Sequence, residues 1–146
     1  FLEFDDKWVI LLGLTSNLGS QDFQQSQDEK GLKLYEKVIQ KSQEWGCPDN
    51  LMYVIGATHP ESFAAIRDMA KDYFFLVPGV GAQGGDLDAV VSQGRNSDIG
   101  LLINSSRAII YASNESNFAM KAREEAQKIQ SEMEEILKRT NTDYTD

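Results

Sequence analysis

Four short apolar runs, residues 8–14, 51–55, 73–77 and 99–103, alternate with stretches whose apolar residues recur every three or four positions. The runs read as strands and the stretches between and after them as helices. Strands joined through helices pair in parallel, with right-handed crossovers. In such a sheet all the strand-to-helix turns lie at the carboxyl ends of the strands, and ligands bind there. The alternation therefore predicts an α/β domain with its functional groups along one rim.

The helices are predicted over residues 32–45, 60–69, 86–93, 105–111 and 117–137. The first carries Leu34, Tyr35, Val38 and Ile39, with Trp45 further on, and stops at Gly46 and Pro48. The second buries Phe63, Ile66 and Met69. Pro60 suits its first turn, and Thr58 or His59 its cap. The third turns Leu87, Val90 and Val91 inward. The last has a stripe from Phe118 through Ala122, Ala126, Ile129 and Met133 to Ile136 and Leu137. Residues 17–30 read as a polar loop with one weak helical turn, and residues 140–146 as a frayed tail.

Two rim turns carry the strongest chemical signal. After residue 77 comes Pro78-Gly79-Val80-Gly81-Ala82-Gln83-Gly84-Gly85, and after residue 103 comes Asn104-Ser105-Ser106-Arg107. The glycines free successive N–H groups to form an anion nest, and Gln83 adds an amide that both donates and accepts. Arg107 offers a planar fork for two phosphate oxygens beside a helix start. The pair describes a phosphate site of the kind a (β/α)8 barrel builds at its last two strands. It is neither a Walker loop nor a dinucleotide fingerprint, because the required lysine, spacing and acidic partner are absent. At the end of the first strand, Thr15, Ser16 and Asn17 suit either a base or sugar edge or an ordinary turn.

Length and composition bound these readings. The chain has 146 residues, whereas a (β/α)8 barrel needs about 250. Phe1 is not an initiator methionine, and a fragment of a larger α/β protein is expected. Acidic residues number 23 against 14 basic ones, a formal charge of −9, which disfavours polymeric nucleic acid but not a small phosphorylated ligand. With one cysteine, Cys47, and one histidine, His59, neither an intrachain disulfide nor a typical zinc site is expected. His59 reads as a cap or surface residue. Asp86 and Asp88 read as first-turn carboxylates that favour the helix dipole. No signal peptide and no bilayer-length apolar run is seen, so no membrane partner is expected and a cytoplasmic protein is the default.

Four segments in order resemble the orotidine 5'-phosphate decarboxylase family, in its longer bacterial branch. They are Leu14-Thr15-Ser16-Asn17, Val54-Ile55-Gly56-Ala57-Thr58, the loop from Val77 to Gly85, and Leu101-Leu102-Ile103-Asn104-Ser105-Ser106-Arg107-Ala108-Ile109-Ile110-Tyr111. The resemblance covers essentially all of residues 1–146, but only the second half of such an enzyme. It implies strands five to eight of a TIM (β/α)8 barrel, a lyase of pyrimidine synthesis that converts orotidine 5'-monophosphate to uridine 5'-monophosphate without metal or cofactor.

By that resemblance Gly81, Gln83, Gly84 and Arg107 bind the 5'-phosphate. Gln83 also reaches the pyrimidine edge, and Ser16 contacts the ring. The family's catalytic array of lysines and aspartates lies on strands two and three, with one aspartate lent by a dimer partner. Asp5-Asp6-Lys7 does not match it, so no catalytic residue is expected in this chain and no turnover from it alone. Two exposed sheet edges and a concave apolar face then imply a partner: the missing N-terminal half, or a second copy in a homo-oligomer. The competing expectations are another ribulose-phosphate-binding barrel with different acid–base residues, and a phosphate-binding half-barrel module without catalysis.

Overall fold

The alternation folds as expected, and the pleat of the strands decides what is buried. A computed structural model describes residues 1–81 and 85–142, the last two as backbone only. One parallel sheet has the order β1 (Val9–Leu14), β2 (Leu51–Ile55), β3 (Phe75–Pro78) and β4 (Leu101–Asn104). The helices are α1 (Leu34–Ser42), α2 (Pro60–Met69), α3 (Leu87–Gly94), α4 (Ser106–Ile110) and α5 (Phe118–Thr142), with a 3-10 turn at Leu18–Gln21.

Leu11, Tyr53, Phe75 and Leu101 stand side by side across the sheet, facing the helices. Together with Leu14, Ile39, Phe63, Ile66 and Val90 they form the core. The neighbouring row, Leu12, Val54, Leu76 and Leu102, points the other way. Among the described residues no helix covers it, and Leu12 is 60% and Leu102 45% exposed. The sheet is thus packed on one side only, although parallel strands ordinarily bury both faces. An uncovered apolar face, part of what was expected of half a barrel, is present among the described residues.

Several boundaries move for local reasons. α1 ends three residues early, and Trp45 is exposed. β3 begins at Phe75, not Tyr73, whose carbonyl accepts from Arg67 and whose hydroxyl donates to the carbonyl of Gly46. β4 begins at Leu101, because Ile99 adopts a left-handed φ of 71° in a turn closed against Asn96. That conformation is strained for a β-branched side chain and takes Ile99 out of the ladder. Residues 140–142 continue α5, with Thr140 Oγ1 donating to the carbonyl of Ile136, where fraying was expected. Residues 143–146 lie outside the described residues. The start of the α5 stripe is uncovered, with Phe118 exposed, while Ile136 is buried.

Buried phenols make the fold sensitive to alkali. Burial raises the pKa of Tyr53, Tyr35 and Tyr73 above the ordinary 10.0. The native state then keeps protons that the unfolded chain releases, so stability falls as pH climbs past about 10. Burial of Arg67 lowers its pKa to about 10 and acts in the opposite sense over the same range. Tyr53→Phe is expected to flatten the decline of melting temperature between about pH 8 and pH 11. A decline as steep as that of the unsubstituted protein would show that Tyr53 does not contribute.

Candidate functional site

The site is built on the carboxyl ends of the strands. Pro78, ending β3, lies in register with Asn104, ending β4. Between residues 78–80 and 104–107 opens a cleft of about 260 Å³. Arg107, in the first turn of α4, lines it. Its side chain is exposed and has no carboxylate partner among the described residues. Ser105 precedes α4 without capping it, and its hydroxyl is buried with no partner among the described residues. An unspent guanidinium, an unspent hydroxyl and a helix start around one cleft suit an anion.

The glycine loop closes the other wall. Gly79 and Gly81 take φ of 97° and 71°, which side chains rarely adopt. Gly85 donates its N–H to the carbonyl of Gly79, and Gly81 donates to the carbonyl of Gly85, each at 3.2 Å. The N–H of Gly81 is therefore spent inside the loop. Gln83 and Gly84 lie outside the described residues.

Ser16 stands at the end of β1, two strands away. Its neighbours are engaged: Thr15 donates its N–H to Gln24 Oε1 at 2.9 Å and its hydroxyl to Asn17 Oδ1 at 2.6 Å. The Ser16 hydroxyl itself is buried without a partner. β2 ties this end to the start of the glycine loop, since Gly56 donates to the carbonyl of Leu14 at 2.7 Å and Ala57 to that of Pro78 at 2.9 Å. A Cβ on Gly56 would fall 2.2 Å from Ser16 Oγ and 2.7 Å from its backbone nitrogen. Gly56→Ala must push the β1 end aside, and a stability loss of about 1–3 kcal/mol is expected from that overpacking. Chemical denaturation measures it, and an unchanged midpoint would refute the contact.

The remaining candidates stay outside the cleft. His59 precedes α2 without a side-chain cap bond. Its Nε2 is buried and unpartnered, and its Nδ1 lies 3.6 Å from Glu61 Oε1. Asp86 caps α3 by accepting from the N–H of Ala89, and Asp88 pairs with Arg139 at 2.7 Å, so both are structural. Cys47 is exposed in the turn before β2, at the opposite end of the strands. Two residues assigned no individual role above matter here. Asn104 lines the cleft, and the signal for it is its even spacing from Leu102 on β4. Gly56 carries no signal until β1 and β2 are paired.

The model of the orotidine 5'-phosphate decarboxylase / HUMPS family matches residues 3–122. The chain belongs to that family. An orotidine 5'-phosphate decarboxylase of Phocaeicola vulgatus is 56% identical over 137 residues, which are 94% of this chain and 50% of the relative. Among solved structures, a UMP synthase of Leishmania donovani superposes with a TM-score of 0.74 at 37% identity, over 90% of this chain and 29% of that one. A putative orotidine-monophosphate decarboxylase of Toxoplasma gondii gives 0.74 at 30% identity, over 96% and 55%. The chain spans about half the length of the curated relatives it matches. Its four βα units are the C-terminal half of the TIM barrel of this family. That accounts for the bare inner face, since a closed barrel fills its interior with side chains from all eight strands.

Proposed function

We propose that this chain supplies the phosphate and pyrimidine contacts of a cytoplasmic lyase that decarboxylates orotidine 5'-monophosphate to uridine 5'-monophosphate in pyrimidine biosynthesis. The observation that carries this reading is Arg107, exposed in a cleft at the ends of β3 and β4 with no carboxylate partner among the described residues. Residues 1–146 would be the C-terminal half of the barrel domain. Four further strands, supplied by the missing half, would pair with the free edges of β1 and β4 and cover Leu12, Val54, Leu76 and Leu102. Assembly of complete barrels into a homodimer accords with the family's lent aspartate.

Each residue has a distinct task in this reading. Arg107 holds two phosphate oxygens, with donors from the loop after Gly81, including Gln83 and Gly84. Ser16 uses its unspent hydroxyl on the pyrimidine ring, and Gln83 bridges ring and phosphate. Closure of the glycine loop over the ligand excludes water, so binding energy from the unreactive phosphate helps assemble the site around the carboxylate that leaves. The acid–base residues belong to the other half, and this half binds and positions.

The test is paired. The complete barrel, given orotidine 5'-monophosphate, is expected to release carbon dioxide and form uridine 5'-monophosphate. The 146-residue chain, freed of intact enzyme, is expected to show no turnover. An inactive complete barrel would overturn the reaction assigned, and turnover by the chain alone would overturn its role as a binding half.

A further inference from the structure

The inner face of β4 changes character at its last residue. Leu102 and Asn104 share that face by the pleat, and Asn104 stands beside Pro78 at the rim. The apolar column thus ends in an amide at the mouth of the cleft that Arg107 also lines. Asn104 Oδ1 accepts the Ser106 hydroxyl at 3.0 Å. This bond orients the amide, and its Nδ2 has no partner among the described residues. An asparagine capping a turn turns its oxygen to local N–H groups. Here the oxygen takes a side-chain hydroxyl, and two N–H donors remain unspent in a cleft that already offers a guanidinium.

We propose that Asn104 is a further ligand-binding residue, donating Nδ2–H to the phosphate of a nucleoside monophosphate from the barrel-interior side, with Ser106 holding the amide in register. This rests on the phosphate reading of the cleft and adds a donor which that reading did not contain. Arg107 approaches from the first turn of α4 and Asn104 from the inner face of β4. The phosphate would lie between two donors set by different backbone segments, which fixes its orientation as well as its charge.

Binding of three probes to the complete enzyme, by calorimetry, tests this: uridine 5'-monophosphate, uridine and inorganic phosphate. Asn104→Ala is expected to weaken uridine 5'-monophosphate roughly tenfold, and Asn104→Asp roughly a hundredfold, because a carboxylate replaces the donor. Inorganic phosphate should weaken in the same order. Uridine should change by less than about twofold. Ser106→Ala should give a smaller loss, of roughly several-fold, on the order of one neutral hydrogen bond. Asn104 is exposed, so melting temperatures near that of the unsubstituted enzyme are expected and serve as the control for folding.

Unchanged nucleotide affinity in Asn104→Asp, while Arg107→Ala still weakens it, would overturn this assignment and leave the phosphate cleft standing. Equal losses for uridine and its monophosphate would also overturn it. An unsubstituted enzyme that binds neither uridine 5'-monophosphate nor phosphate would instead bring down the reading of the cleft on which it rests.

Discussion

Arg67→Met lowers folding stability by about 3–5 kcal/mol in chemical denaturation, the loss expected when the charged partner of a buried polar network is removed. Arg67 is 7% exposed near the end of α2. Its guanidinium donates to the carbonyls of Gly94, Ala70, Lys71, Tyr73 and Gly100, at 2.7 to 3.1 Å. It also lies 3.7 Å from the centre of the Phe75 ring. These carbonyls belong to the end of α2, the end of α3 and the approaches to β3 and β4. One side chain therefore joins the segments at the foot of the sheet. Methionine keeps much of the volume and removes the guanidinium donors, so the carbonyls of Gly94 and Tyr73 lose their buried partner, while those of Ala70, Lys71 and Gly100 keep one donor each, from Tyr73, Asn96 and Phe75. Arg67→Lys should recover less than half of the loss, because a single ammonium cannot match a planar fork of five N–H groups. A loss below about 1 kcal/mol for methionine would show that water replaces these bonds at little cost.

Arg107→Ala in the complete enzyme weakens uridine 5'-monophosphate by roughly tenfold to a hundredfold, the range of about 1.5–3 kcal/mol for a hydrogen bond to a charged group. Uridine, lacking the phosphate, should bind almost as before. The contrast between the two ligands carries the test, since a general disturbance of the rim would weaken both. The fold should be indifferent to the change, because Arg107 is exposed and joins no ion pair among the described residues. Lysine at this position should restore part of the affinity as a point charge without bidentate geometry. Equal losses for nucleotide and nucleoside would remove Arg107 from the phosphate site.

The two residues differ in how they could be read. Arg107 follows an apolar run and a serine pair, so the linear order of strand, turn and helix already sets it on the rim. Arg67 lies beside Ile66 in a helical stretch, where an arginine ordinarily faces solvent. Three of its carbonyls lie three to six positions on, but those of Gly94 and Gly100, which tie it to α3 and the approach to β4, lie 27 and 33 positions away. Ser16 is similar in part. Its place at a strand end was legible, but its free hydroxyl depends on Gln24 and Asn17 engaging Thr15, and on the bare backbone of Gly56 beside it.

Apolar period and turn chemistry are local properties, and they determined the parallel α/β class and the helix and strand order, and raised the expectation of a phosphate site from the turns after β3 and β4. Length left a smaller α/β fold or part of a larger one open, and the family resemblance implied the second half of a barrel. Only the tertiary structure decided which apolar residues of each strand meet the helices and which stay bare, because register and the bulge between Leu12 and Leu14 set the pleat. It alone placed Arg67 among its carbonyls, took Ile99 out of β4 and put Asn104 beside Pro78. The place of Asn104 and the bonds of Arg67 to Gly94 and Gly100 come from pairing between distant segments, which leaves no periodic trace in the chain, whereas Ile99 leaves β4 through a left-handed turn closed on Asn96.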